Sequence, residues 1–168
     1  AGSGPLAVGA GRGGRGAWCA ARGPGRAVGA ACADLDNLGA ACRRAVSLGD
    51  GASAAGALEG AWSAFGRRGP YQAAAELAQS VCAMPQLANR AAARAQLVFS
   101  CALMYCGRHE PAAESSERAL AHARAAGDRS LEAQALGQKG SVLEAQGHTH
   151  EALDCYEKAL QMARDTQP

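Results

Sequence analysis

Three glycines, Gly69, Gly107 and Gly147, each stand five residues ahead of an alanine, and each follows an apolar stretch with helical spacing. The glycines lie 38 and then 40 residues apart, so the chain repeats itself. A repeat of this length that contains two helical segments is typical of proteins built by stacking helix pairs, each of which contacts only its neighbours. The spacing therefore predicts an all-α fold, an α-solenoid of antiparallel helix pairs, and it directs the search for function towards binding surfaces.

Small and apolar residues recur at spacings of three and four on both sides of each glycine, as on one face of an α-helix. Two copies depart from this pattern, because Gln96 replaces a leucine and Trp62 occupies a position that is small in the other copies. Helices pack closely only where at least one side chain is short, and glycine permits the turn between them. We predict that the following residues pack the repeats: Leu58, Gly69, Ala74, Ser100, Gly107, Ala112, Ala119, Leu136, Gly140, Gly147, Ala152, Tyr156 and Ala159.

An upstream segment also matches the pattern, because Gly49-Asp50 corresponds to Gly127-Asp128 in the later copies. In both places glycine can end one helix in the left-handed conformation and aspartate can cap the next. We therefore expect a helical repeat domain over residues 31–168, with a partial repeat at 31–50 and repeats at about 53–83, 90–126 and 129–165.

The last copy, residues 136–160, resembles the tetratricopeptide repeat. Gly140, Ala152, Tyr156 and Ala159 match the small, small, aromatic and small positions of that family, and Gly147 matches its inter-helix turn. The long repeat with Gly-Asp-Arg at 127–129 is similar to the arrays of G-protein-signalling modulators and kinesin light chains. This resemblance implies a right-handed superhelix whose first helices line a concave groove that binds a partner peptide or helix.

The resemblance also places residues in that groove. Repeats of this family that bind the C-terminal carboxylates of chaperone tails carry lysine and asparagine in the groove. The corresponding positions here hold Glu59, Ser63, Leu97 and Cys101, which argues against a carboxylate clamp. Leu97, Met104 and Tyr105 offer apolar contacts to a ligand, or else they pack on neighbouring helices. The complete set of expected groove residues is Glu59, Ser63, Gly66, Arg67, Arg94, Leu97, Cys101, Met104, Tyr105, Gln134, Gly137, Ser141, Glu144 and Ala145.

Residues 1–30 differ from the rest, with ten glycines, four arginines and no acidic residue. Such a segment cannot bury enough apolar surface to offset its ordering entropy, so we expect it to be disordered. Arg-Gly segments can bind RNA, but Trp18 is the only aromatic residue available for stacking. A flexible tail is the better interpretation, and nucleic acid remains a minor alternative.

No motif for catalysis or cofactor binding appears, so we expect a non-enzyme without a cofactor. The seven cysteines include no Cys-x-x-Cys pair and predict reduced thiols rather than disulfides. The cluster of Cys106, His109, His148, His150 and Cys155 does not fix the four converging ligands that zinc requires. No stretch reaches membrane-spanning length, and no apolar segment suits a secretory signal.

We therefore expect a cytoplasmic scaffold or adaptor that binds a protein segment in its groove. The alternative is a structural spacer or self-association module of a longer protein, because a short helical array leaves apolar faces at its ends.

Overall fold

The computed structural model describes residues 28–166, with the exception of the side chains of residues 28–35, 64, 65, 67, 68 and 166. This range contains seven α-helices and no β-strand. The helices are α1 (Val28–Ser47), α2 (Gly51–Arg68), α3 (Tyr71–Cys82), α4 (Asn89–Tyr105), α5 (His109–Ala125), α6 (Arg129–Ala145) and α7 (Thr149–Thr166). The all-α class is confirmed, and the helix order is that of an α-solenoid. The sequence analysis predicted disorder over residues 1–30, but helix α1 begins at Val28, so residues 28–30 are helical. Residues 1–27 lie outside the described residues.

Glycine ends four of these helices in the same way. Gly49, Gly107, Gly127 and Gly147 have φ angles from 64° to 86°, a left-handed conformation that strains residues with a Cβ atom. The residue after each glycine donates its backbone N–H to the carbonyl five positions earlier, which satisfies an orphan carbonyl of the helix end. These bonds join Asp50 to Ala45, Arg108 to Leu103, Asp128 to Ala123 and His148 to Leu143, with N–O distances of 3.0, 2.9, 3.2 and 2.9 Å.

The turn between α2 and α3 is different. Gly69 also has a positive φ, of 75°, but the next residue is Pro70, which has no N–H to donate. Contacts between α2 and α3 are less extensive than those between α4 and α5 or between α6 and α7. In α2 the buried Trp62 occupies the position that holds Ser100 in α4 and Gly140 in α6.

The core runs along the stack in three groups of buried side chains. The first surrounds Leu58 and Trp62 between α1, α2, α3 and α4. The second surrounds Leu97 between α4, α5 and α6, and the third joins Leu103 of α4 to Val142 of α6. The packing residues expected from the sequence are buried at Leu58, Ala74, Ser100, Ala112, Ala119, Leu136, Gly140 and Ala152, and half-buried at Tyr156 and Ala159.

At Gln96, where the apolar pattern is interrupted, the buried polar side chain is satisfied by a hydrogen bond. Gln96, which replaces a leucine, is 8% exposed, and its side-chain oxygen accepts a hydrogen bond of 2.6 Å from the Ser115 hydroxyl. A buried amide would otherwise cost about 1–3 kcal/mol of folding free energy. Ser115 therefore allows the polar residue in the core.

Candidate protein-binding surface

The first helices of successive pairs, α2, α4 and α6, lie side by side. Contacts between α2 and α4, and between α4 and α6, are more extensive than any between α3 and α5 or between α5 and α7. A stack whose first helices approach more closely than its second helices must curve towards the first helices. We call the surface formed by α2, α4 and α6 the concave surface.

An ion pair crosses this surface from α2 to α4. The Arg94 Nε donates to Glu59 Oε1 at 2.7 Å, and a second nitrogen of the guanidinium contacts Glu59 Oε2. The two side chains are 32% and 30% exposed. The hydrogen bond to Glu59 raises the pKa of Arg94, so the guanidinium is charged at neutral pH. A partner would meet two opposite charges that are already fixed in place.

Polar side chains on α6 are held by the final helix. The Tyr156 hydroxyl of α7 lies 2.9 Å from Glu144 Oε2 and 3.2 Å from Ser141 Oγ. Burial, together with the contact to the Glu144 carboxylate, raises the pKa of Tyr156, while the bond to Ser141 opposes this shift. Ser141 and Glu144 are therefore oriented by contacts within the fold before any ligand binds.

Two expected groove residues do not lie on the surface. Leu97 is 1% exposed and packs among Ala119, Leu131 and Leu136 in the core between α4, α5 and α6. Cys101 is 5% exposed, and its thiol lies 3.1 Å from Gln138 Oε1. The prediction that these residues contact a ligand is corrected, because Leu97 is covered by α5 and α6, and Cys101 is buried against Gln138 of α6.

Met104 and Tyr105 occupy an intermediate position. Tyr105 stacks on Tyr71 of α3 with ring centroids 4.6 Å apart, and its centroid is 6.0 Å from that of Trp62. Tyr105 nonetheless remains 41% exposed. Met104 is half-buried, with its sulfur 3.8 Å from the Gln138 side-chain nitrogen. Both residues pack on neighbouring helices, and Tyr105 still presents part of its ring at the edge of the concave surface.

The remaining expected groove residues belong to α2 and α6. Ser63 is exposed and donates to the Gly60 carbonyl at 2.6 Å, and Gln134 is half-buried with its amide 3.4 Å from Ser130 Oγ. Gly66 and Gly137 are half-buried and Ala145 is exposed. The side chain of Arg67 lies outside the described residues.

The sequence analysis missed a buried polar network that links α4 to α6. Gln138 is 5% exposed, and its amide nitrogen donates to Ser100 Oγ at 3.2 Å while its oxygen faces Cys101. Ser100 in turn donates to the Ala112 carbonyl at 2.8 Å. A sequence signal for this network did exist: the equivalent residue of the preceding copy is Val98, which is fully buried. A glutamine at such a position indicates a polar contact inside the stack.

Metal binding, membrane insertion and thiol reactivity each make specific demands on the described residues. Within them, no three His, Cys, Asp or Glu side chains lie close enough together to hold a metal ion, and no helix has the length and hydropathy needed to cross a membrane. The cysteines of the described side chains form no disulfide bond; they are Cys42, Cys82, Cys101, Cys106 and Cys155. Cys19 and Cys32 lie outside the described side chains. Burial raises the pKa of Cys42 to about 11 and that of Cys82 to about 12, so both thiols remain protonated at neutral pH.

Comparison with known protein families supports the assignment of a repeat. A family model described as tetratricopeptide repeat matches residues 97–165, which extend from within α4 to near the end of α7. A search of curated proteins finds no match.

Proposed function

Residues 97–165 belong to the tetratricopeptide repeat family, whose arrays generally mediate protein–protein interaction, and we propose that this chain binds a segment of a partner protein along its concave surface. Proteins with such repeats are typically non-enzymatic scaffolds. An adaptor role in the cytoplasm is part of the proposal, since cysteines without disulfide bonds suit a reducing compartment.

The observation that carries the proposal is the row of polar groups on α2, α4 and α6 that remain accessible after folding. Glu59 and Arg94 are each about one-third exposed, although together they bridge two helices. Ser63 of α2 and Glu144 of α6 are also exposed. A ligand that lies across the three helices can form several charge-assisted and neutral hydrogen bonds at once.

The chemistry of the surface favours a ligand of mixed character. Glu59 and Arg94 carry opposite charges that neutralise each other, and Glu144 adds one further negative charge. Tyr105 and Met104 add apolar contacts at one edge. We propose a peptide or helix with both polar and apolar side chains, and not a carboxylate tail, because the surface groups near Glu59 and Ser63 include no lysine.

A display library of random peptides, selected on the full chain, tests the proposal. The key variant exchanges the ion pair, Glu59→Arg with Arg94→Glu, which keeps the bridge between α2 and α4 but reverses the position of each charge. We expect selected peptides to bind this variant at least about fivefold more weakly, the ratio expected when one favourable charge contact becomes a repulsion.

The matched control is Gln79→Arg, which adds a charge on the exposed side of α3. This variant should bind the selected peptides as the native chain does. If the exchanged pair and the native chain bind equally, or if Gln79→Arg causes the larger loss, the concave surface is not the binding site. A failure to select any peptide would favour the spacer or self-association alternative.

RNA contact through the arginines of residues 1–30 remains a minor proposal that concerns residues outside the described part of the chain. It predicts salt-sensitive retention on RNA that disappears when residues 1–30 are deleted.

A further inference from the structure

The last turn of α1 carries a serine with the charge pattern that one class of protein kinase recognises. Ser47 is the final residue of α1, Arg44 stands three residues before it, and Leu48 follows it. Kinases discriminate among substrates by such charge patterns. Arginine-directed serine kinases bind an arginine at the third position before the acceptor through acidic groups, and place the residue after the acceptor in an apolar pocket.

This pattern occurs once in the part of the chain that the structure describes. Among the serines and threonines of residues 28–166, Ser47 alone has an arginine or lysine three residues before it. Ser130 also follows an arginine, but it has Gly127 at the third position and is followed by Leu131, which is buried. Charge and apolar signal therefore coincide at Ser47.

The groups that a kinase must contact are accessible. Ser47 and Arg44 are exposed, and Leu48 is 73% exposed, the largest fraction among the exposed large hydrophobic side chains of the described residues. The Ser47 hydroxyl donates to the Arg44 backbone carbonyl at 2.8 Å, an exposed contact within its own helix turn. The acceptor hydroxyl and both recognition residues thus lie at the surface.

A kinase binds the residues around the acceptor in an extended conformation, so the last turn of α1 must open. The backbone N–H of Leu48 donates to Arg44 at 3.0 Å. That of Asp50 donates to Ala45, also at 3.0 Å. Helix ends open locally at a small fraction of the free energy of global unfolding. Access to Ser47 therefore requires the loss of a few terminal bonds and leaves the repeats folded.

We propose that Ser47 is a phosphorylation site for an arginine-directed serine kinase. The kinase transfers the γ-phosphoryl group of Mg²⁺-bound ATP to Ser47 Oγ. The Oγ–phosphorus bond forms, the bond from the γ-phosphorus to the bridging oxygen breaks, ADP leaves, and the hydroxyl proton passes to the catalytic aspartate of the kinase. Ser47 belongs to α1, so this inference does not depend on the ligand of the concave surface.

The phosphate changes the electrostatics of the junction between α1 and α2. A phosphoserine carries about −1.5 to −2 charges at neutral pH, and the carbonyl end of a helix disfavours negative charge. The exposed Arg44 side chain offsets part of this charge, but the bond from the Ser47 hydroxyl to its carbonyl is lost. Three residues later the Asp50 carboxylate, which accepts the Ser53 N–H at 3.0 Å, adds a second negative charge. Phosphorylation should therefore loosen the turn that joins α1 to α2.

Incubation of the full chain with ATP and a calmodulin-dependent serine kinase of the arginine-directed class, followed by mass spectrometry, tests the site. We expect Ser47 to be the main modified residue and Ser47→Ala to remove most of the incorporation. Ser80→Ala is the matched control, because Ser80 is exposed and also donates to a carbonyl of its own helix. This variant should be modified as the native chain is.

Two neighbouring arginines test the recognition. Arg44→Gln should slow phosphorylation at least about tenfold, because a charge-assisted hydrogen bond to the kinase is lost. Arg43→Gln, at the adjacent exposed position, should slow it at most about threefold. Circular dichroism verifies that both variants are folded. In the phosphorylated chain, the backbone amides of Leu48 and Asp50 should exchange hydrogen faster than in the unmodified chain.

A synthetic peptide of residues 41–51 separates recognition from access. Phosphorylation of the peptide but not of the chain would show that the last turn of α1 does not open, and no phosphorylation of either would show that the pattern is not recognised. Each result overturns the proposal, as does an Arg43→Gln effect equal to or larger than that of Arg44→Gln. Unchanged hydrogen exchange after phosphorylation would overturn the effect assigned to the phosphate.

Discussion

At the residue scale, two of the helix pairs combine one large and one small side chain at equivalent positions, and the large one lies on the first helix in one repeat and on the second helix in the other. The pair is Trp62 with Ala78 between α2 and α3, and Gly140 with Tyr156 between α6 and α7. In the last pair, a Cβ atom on Gly140 would lie 2.7 Å from Tyr156 Cε1. One large and one small residue fill the same interhelical space in either order, so Trp62 is compatible with the repeat register that the glycines indicate.

Alanine substitutions at two glycines of α6 test this contact. Gly137 and Gly140 gain the same helix propensity from alanine, but a Cβ atom at Gly137 meets nothing within 4 Å. We expect Gly137→Ala to raise the free energy of unfolding by about 0.5–1 kcal/mol. Gly140→Ala should be about 1–3 kcal/mol less stable than Gly137→Ala, because Tyr156 must move. Urea denaturation measures both, and equal stabilities would show that α6 and α7 are not in close contact at Gly140.

At the element scale, aspartates after the left-handed glycines begin the next helices. Asp128 accepts a hydrogen bond of 3.1 Å from the Leu131 backbone N–H, and Asp50 accepts one of 3.0 Å from Ser53. Each satisfies an N–H group that would lack a partner within the helix. A glycine followed by an aspartate therefore indicated the end of one helix and the start of the next, because both the turn and the cap depend on neighbouring residues alone.

The Asp128 cap can be separated from its ion pair with Arg90, whose Nε lies 3.0 Å from Asp128 Oδ2. Asp128→Ala should lower the free energy of unfolding by about 0.5–2 kcal/mol through loss of the cap. Arg90→Gln removes only the ion pair, and should cost at most about 1 kcal/mol because the arginine side chain is 74% exposed. Thermal unfolding compares the two variants, and a larger loss for Arg90→Gln would contradict the capping role.

Asp50 provides a pH-dependent test of the α2 cap. Hydrogen bonds from Ser53, the side chain first and then the backbone, lower the pKa of Asp50. A lowered pKa in the folded state means that the cap stabilises the fold above the ordinary aspartate pKa of about 3.9, and that this contribution is lost as pH falls through the folded pKa. NMR titration of the Asp50 carboxyl should give a midpoint below the ordinary value, and Ser53→Ala should raise it. A midpoint at or above 3.9 in the native chain would rule out the cap.

At the scale of the whole molecule, α2, α4 and α6 are joined across repeats by groups that are distant in sequence. Arg94 contacts Glu59 over 35 residues, and Gln138 contacts Ser100 over 38. The first link lies on the concave surface and the second lies inside the stack. Both fix the relative position of the first helices, and hence the shape of the surface offered to a partner.

Replacement of Gln138 should destabilise the contact between α4 and α6 more than replacement of Gln134, another glutamine of α6. Gln138→Ala removes two buried hydrogen bonds, with Ser100 Oγ and with the Cys101 thiol, and should lower the free energy of unfolding by about 1–3 kcal/mol. Gln134→Ala removes only a 3.4 Å contact with Ser130 and should change stability little. Hydrogen exchange should also show faster opening of α6 and α7 in the Gln138 variant. Equal effects of the two substitutions would mean that the network does not couple the repeats.

The sequence by itself determined the helix pairs, their turns and the small residues between them. Left-handed glycines, caps and apolar periodicity depend on neighbouring residues, and each of these signals recurs in several copies of the repeat. Only the tertiary structure decided which predicted groove residues are accessible. The sequence assigned Leu97 and Tyr105 alike to the groove, yet Leu97 is 1% exposed and Tyr105 is 41% exposed. The reason is physical: exposure depends on how closely α6 and α5 approach α4, and on the rings of Tyr71 and Trp62 against Tyr105. Those distances are set by side chains from several repeats together.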